Sequence, residues 1–387
     1  MKGHIRERSP GRWAIVLDVR DPESGRRRRR WHSFRGTKRE AQVECACLIA
    51  ELQGGAYLEP AKVTLGQFLD RWLEHMSTQV SPRTHERYTE LAKKNIAPLI
   101  GDAILTKLLP ARISAAYSKA LTAGRRDGSG GLSPRTVHHM HRILRQALQQ
   151  AVRWQLIARN PAEAVRPPKV ERATVRALDA DETATVLEAM RPSRMFIPVL
   201  LAALCGLRRG ELAALRWRAI DFANAQLAVV ASTEQTRAGV REKEPKNRRA
   251  RTIALPRLVL EELRRHRVQQ AEELLKLGTR QTEVMHVVAR PDGQPLQPRS
   301  LTHEWDRLLA KTGLPRVRFH DLRHSHASHM LAAGVHPKIV MERLGHSTIS
   351  VTLDIYSHAL PTMQVDAAER IDAVLRAALQ KRCAAKG

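Results

Sequence analysis

Ser-Pro-Arg-Thr occurs twice in this chain, at Ser81–Thr84 and at Ser133–Thr136. In each copy the serine hydroxyl is suited to cap the free amides of a helix start. The proline sits in the first turn, where its missing N–H is not needed. Both copies therefore predict helix openings. Upstream, Leu65, Phe68, Leu69, Trp72 and Leu73 recur at helical spacing. The stretch 63–165 thus reads as all helix. Its second capped helix is basic on one side through His138, Arg142 and Arg145, runs to Trp154, and is expected to stop at Asn160-Pro161. A glycine-rich loop, 124–131, separates the two.

The flanking segments differ. Residues 12–19 alternate in the manner of a strand, Asp21-Pro22-Glu23-Ser24-Gly25 signals a turn, and five arginines (Arg26–Arg30) lead to Trp31 and Phe34. A hairpin with a third strand near 31–34 is expected, then a helix from Thr37 to about Leu52, ended by Gly54-Gly55. The segment 1–60 is therefore a small sheet plus one helix. Arg166-Pro167-Pro168-Lys169 reads as a stiff basic linker. The third segment, 175–387, is mostly helical, with strands at 227–230 and 252–255 and a basic stretch between them. An amphipathic helix is expected over 367–379. With 387 residues a single core is too small a unit. The expected class is a multidomain, mainly α chain with small β elements.

Charge narrows the partner. Lys and Arg number 66 against 39 Asp and Glu, a net charge of +27. Such an excess suits a polyanion, nucleic acid before a membrane surface, since no basic amphipathic helix carries an aromatic apolar face. No apolar run is long enough to cross a bilayer, and Met1-Lys2-Gly3-His4-Ile5-Arg6 lacks the apolar core of a secretory signal. The cysteines, 45, 47, 205 and 383, have no zinc-like pairing, and a reducing cytoplasm fits them. No phosphate-cradling loop followed by Lys-Ser/Thr is present, so no nucleotide cofactor is expected.

Three short blocks in the third segment carry chemistry. In Gly206-Leu207-Arg208-Arg209-Gly210-Glu211, Gly206 should end one helix and Arg208 open the next, with Glu211 one turn on to hold a guanidinium. In His320-Asp321-Leu322-Arg323-His324, positions 320 and 323 share a helix face, so an imidazole and a guanidinium can meet one phosphate. In Leu344-Gly345-His346-Ser347, Gly345 should end a helix and His346 sit at the turn, with Tyr356 following. Taken singly, each has an ordinary structural explanation: a surface ion pair, a capped helix, a core aromatic.

In this order, with a basic hairpin between the first and second blocks, they resemble the tyrosine recombinase (phage integrase) family. The resemblance runs from Arg208 to Tyr356. The segment 63–165 resembles that family's core-binding domain, and 1–60 its arm-binding domain. The resemblance implies that Arg208 and Arg323 clamp the scissile phosphate and that Tyr356 forms a 3′-phosphotyrosyl bond. His320 would assist proton transfer, and His346 would hydrogen-bond the phosphate. Lys246 of the hairpin would protonate the leaving 5′-oxygen. Lys243 lies close by, and Asn247 follows Lys246 where the family usually has threonine. Implied partners are double-stranded DNA at core and arm sites, a homotetramer on that DNA joined through the C-terminal helix, and DNA-bending and directionality factors. No metal or cofactor is implied. The function implied is integration and excision of a phage or mobile element. A chromosome-dimer resolvase is the alternative within the chemistry, although resolvases of the family begin directly with the helical domain. A non-catalytic DNA-binding regulator is the alternative outside it.

Overall fold

The computed structural model describes residues 3–20, 27–53, 63–171, 176–244, 250–314, 316–349, 368, 369, 371–373, 375 and 376. The chain divides into two compact units, 1–171 and 172–387.

The first unit opens with an antiparallel sheet of β1 (Gly3–Ser9), β2 (Arg12–Arg20) and β3 (Arg27–Arg35), with β2 in the middle. The arginine run does not stay in the turn: Arg27 already pairs with Arg20, four positions before the expected strand start at Trp31. Simple alternation also fails along β2, where every residue from Trp13 to Leu17 is buried. Ile15 and Leu17 pack with Cys45 of the following helix, whereas Val16 lies between His4 and Trp31 on the neighbouring strands. A central strand can be covered on its second face by long side chains of its neighbours. The helix α1 (Lys38–Gln53) starts as its chemistry dictates. The Thr37 hydroxyl accepts from the Glu40 amide, and the Glu40 carboxylate accepts from the Thr37 amide at 2.8 Å. The expected Gly54-Gly55 stop lies outside the described residues.

A helical bundle follows: α2 (Leu65–Met76), α3 (Pro82–Leu91), α4 (Ala97–Ile100), α5 (Pro110–Ala123) and α6 (Pro134–Arg153). Both Ser-Pro openings form as expected, with Ser81 and Ser133 accepting from the amides of Thr84 and Thr136. The apolar stripe of α2, including Phe68 and Trp72, shares one buried core with Met140 and Leu144 of α6. One expectation is corrected: α6 ends at Arg153, not at Asn160. Gln155 takes a left-handed φ of 57°, which turns the chain out of the helix. Asn160 instead caps the short turn Pro161–Ala164.

The second unit is mostly helical: α7 (Ala180–Met190), α8 (Phe196–Cys205) and α9 (Arg209–Ala214) precede its strands. The expected strands are β5 (Gln226–Val229) and β8 (Arg251–Ala254), paired Leu227 to Ile253, with β4 (Ile220–Asp221) at the edge. The stretch between them contains a hairpin, β6 (Ser232–Thr236) and β7 (Gly239–Lys243). Then come α10 (Arg257–Lys276), α11 (Pro298–Leu309), α12 (Asp321–Ala332) and α13 (Pro337–Leu344). α8 is apolar on all sides and runs through the core, touching α12. Of the expected C-terminal helix, the described residues are helical, and Ile371 and Leu375 are exposed. Val374 and Leu379, counted on its apolar face, lie outside the described residues.

Candidate active site

Two left-handed helix ends and one helix start build the site. α8 ends at Gly206, whose φ of 67° and bond from its own amide to the Ala202 carbonyl, at 3.2 Å, form a left-handed stop. Any side chain at 206 would strike Leu344 and His326, since a Cβ there would lie 2.4 and 2.8 Å from their atoms. α9 begins immediately, with Arg208 at its cap position and the Glu211 carboxylate bonded to the Arg208 amide at 2.9 Å. α13 ends at Gly345, again left-handed, with φ 62°.

On these turns the guanidinium groups converge. Arg208 donates to Glu211 Oε1 at 2.8 Å and to the Gly345 carbonyl at 2.9 Å. Arg323, only 3% exposed, donates to the carbonyls of Gly206 and Leu344. The sequence reading missed a third partner. Arg251, at the start of β8, donates twice to Glu211, at 2.9 and 2.7 Å, and once to the Arg343 carbonyl. Forty positions separate Arg251 from Glu211, and no local spacing links them. Burial alone would raise the Glu211 carboxyl, but Arg251 and Arg208 outweigh it and bring its pKa down to about 2.

The histidines lie in the same field. His320 forms the N-cap position of α12, and its ring stands perpendicular to that of His324, 5.2 Å between centroids. It keeps a solvent-exposed edge, yet the protein packed behind it, then His324, Arg323 and Arg208, pull its pKa down to about 4. His346, half-buried just past Gly345, falls to about 4 through burial and then through Arg323 and Arg208. Both rings are therefore neutral at pH 7. Asp321 does not neutralise them: its carboxylate is taken by the backbone and side chain of Arg318.

Arg208, His320, Arg323 and His346 are thus brought together. Lys246 and Tyr356 lie outside the described residues. Lys243, the other lysine of the hairpin region, is ion-paired with the buried Glu234, which also holds Arg241 at 3.0 Å. What remains is a cationic surface with neutral imidazoles beside it, arranged for an anion with a proton to exchange. Among the described residues no group of His, Cys, Asp or Glu could hold a metal ion.

The chain is similar to known proteins over most of its length. A model described as the phage integrase family matches residues 176–363, and one for the phage integrase N-terminal SAM-like domain matches 64–121. A tyrosine recombinase XerC-like protein of Caldanaerobacter subterraneus subsp. tengcongensis is 27% identical, over 93% of this chain and 95% of its own. The ICEBs1 integrase of Bacillus subtilis is 24% identical, over 92% and 95%. Among solved structures, the Tn1549 transposon integrase with transposon right-end DNA shares the fold at a TM-score of 0.67 and 18% identity, over 80% of this chain and 99% of that one. A lambda integrase dimer on a core site gives 0.58 and 19%, over 92% and 95%.

Proposed function

This chain belongs to the phage integrase family of tyrosine recombinases, site-specific enzymes that cleave and rejoin DNA, and from that premise we propose that it breaks the strand at the Arg208–Arg323 cluster, with Tyr356 as nucleophile. The observation that carries the reading is the convergence of two guanidiniums and His346 on one turn. Guanidinium groups match phosphate oxygens and stabilise the charge that develops on them. Tyr356 Oη would attack phosphorus, forming a 3′-phosphotyrosyl bond as the bond to the 5′-oxygen breaks. A neutral imidazole, His320, is available to take the tyrosine proton, and His346 to hydrogen-bond the phosphate. Lys246 would give a proton to the leaving 5′-oxygen. It is preferred over Lys243 because the latter is committed to Glu234. The bond energy is kept in the phosphotyrosine, so rejoining needs no ATP.

The partner is double-stranded DNA, as for the related integrases solved on it. Three domains are proposed, 1–60 for arm-type sites, 63–165 for the core site and 175–387 for catalysis. A tetramer on DNA follows the same reading, since a lambda integrase tetramer is known on a Holliday junction. Joining through the C-terminal helix, help from DNA-bending and directionality factors, and action in the cytoplasm belong to it as well. Among the described residues no helix is long and apolar enough to cross a membrane.

The test is a nicked suicide duplex carrying the element's core site, read as an SDS-resistant protein–DNA band. The band should form with the wild type and vanish in Tyr356→Phe while binding persists. A band that survives in the variant would move the nucleophile elsewhere. No band with either, despite tight specific binding, would favour a DNA-binding regulator.

A further inference from the structure

Helix α6 carries four arginines and three histidines in twenty residues, and not one carboxylate. Its solvent side lines an open cleft shared with α2, where Arg142, Arg145, Gln149 and Arg153 stand beside His75 and His138. The only acid in the cleft lining is Glu163, which pairs with Arg145 at 3.4 Å. Cations alone would bind phosphates without regard to sequence. Gln149 is different, because its amide has a fixed direction.

The direction is imposed from beneath. Asn160 is buried, and the backbone dictates which way its amide faces. Its Oδ1 accepts from the Ala162 N–H at 3.0 Å, so its Nδ2 must be the group that donates to the Arg145 carbonyl at 3.0 Å. The second hydrogen of that Nδ2 goes to Gln149 Oε1, at 3.3 Å. The Gln149 oxygen is thereby held by a buried donor, and Nε2 is left for the cleft. One turn earlier Gln146 also has a partner, its Oε1 accepting from Tyr88 Oη at 3.1 Å.

We infer that Gln149 is a specificity-determining residue, reading a hydrogen-bond acceptor on a base edge in the major groove of the core site. Resting on the recombinase reading, this adds the chemistry of the base selected. A glutamine free to use both ends favours adenine, which offers a donor and an acceptor together. With its oxygen turned down toward Asn160, Gln149 presents the hydrogens of Nε2 to the cleft. Guanine presents two acceptors there, N7 and O6, and thymine one, O4, whereas adenine N7 lies beside the N6 donor, which opposes a second hydrogen of Nε2. The groove is about 12 Å wide and admits an α-helix, and the carboxylate-free face suits the phosphates on either side.

The test is selection of binding sites from a randomised duplex DNA library by the full-length protein, followed by affinities for single base-pair changes. The wild type should select guanine or thymine at the position read by Gln149, at about 5- to 100-fold over the others. Gln149→Ala should lose that preference at this position alone, with the salt dependence of binding unchanged. Gln149→Glu keeps an oxygen toward Asn160 and sets a second one in the cleft. It should switch the preference to a base with an exposed amino group, cytosine or adenine. A selected sequence unchanged in both variants overturns the inference, and so does a uniform loss of affinity across all duplexes, the mark of a phosphate contact. A wild type that binds no duplex in a salt-dependent way overturns the recombinase reading, and this inference with it.

Discussion

Arg208 and Arg323 donate to neighbouring carbonyl oxygens, those of Gly345 and Leu344. With Arg251 on the Arg343 carbonyl, three successive oxygens at the end of α13 each hold a different arginine. The end of a helix carries partial negative charge and unpaired carbonyls, so it is a natural seat for cations. The site's positive charge is therefore anchored by backbone, and the same turn fixes where His346 begins.

The two arginines should respond differently to replacement. Arg208→Lys keeps a charge on a partly exposed residue but loses the fork that spans Glu211 and Gly345. Cleavage of the suicide duplex should fall roughly 10²- to 10³-fold, with the thermal midpoint nearly unchanged. Arg323→Ala strands two buried carbonyls, each costing about 1–3 kcal/mol, so it should also unfold at markedly lower urea. Equal stability losses in the two variants would contradict this division of labour.

Glu211 balances Arg208 and Arg251, and breaking a buried ion pair by neutralising one partner costs about 3–5 kcal/mol. Glu211→Gln should be destabilised on that scale in urea titrations at pH 7. The pH dependence has a definite sign. The folded pKa is lowered from 4.5 to about 2, so the stabilisation is complete above about pH 4.5 and drains away as pH falls toward 2. The gap between wild type and variant should narrow through that window. A constant gap from pH 7 to pH 3 would show that Glu211 matters by shape and not by charge.

How much of this could be read in advance depends on the range of the interaction. Ser81, Thr37 and Ser133 announce their helices because caps act within three residues. Arg208 and Glu211 are legible as a pair for the same reason. Arg251 is not, since only the folded sheet brings β8 to α9. The β6 strand was also hidden: Ser-Thr-Glu-Gln-Thr has no apolar alternation, and the side chains it buries are Glu234 and Thr236. The early end of α6 rests on a left-handed Gln155, a conformation that residue type does not advertise.

His320 and His346 should titrate far below ordinary histidines in the free protein. Each is lowered from 6.5 to about 4, by burial first, then by His324, Arg323 and Arg208 at His320 and by Arg323 and Arg208 at His346. The unfolded chain takes up these protons first. Stability tied to the rings is therefore complete above about pH 6.5 and declines as pH falls toward 4. Imidazole NMR titrations of the DNA-free protein, assigned through His320→Asn and His346→Asn, should give midpoints near 4. Midpoints near 6.5 would mean that the rings are solvated and free of the arginine field.

Gly206 holds the whole arrangement by its lack of a side chain. Its left-handed φ stops α8 two residues before Arg208, and its carbonyl receives Arg323. An alanine there would be strained in the backbone and would press on Leu344 and His326. Left-handed strain costs roughly 1–2 kcal/mol and overpacking typically about 1–3 more, so Gly206→Ala should lose about 2–5 kcal/mol in urea. Gly278, left-handed with φ 71° just after α10, supplies the control, because a Cβ there meets nothing within 4 Å. Gly278→Ala should show backbone strain alone. Cleavage should suffer in Gly206→Ala beyond what the unfolded fraction explains, because Leu344 must shift and its carbonyl is what Arg323 grips. If Gly206→Ala is no less stable than Gly278→Ala and cuts normally, the close packing of Gly206 against Leu344 does not govern the site.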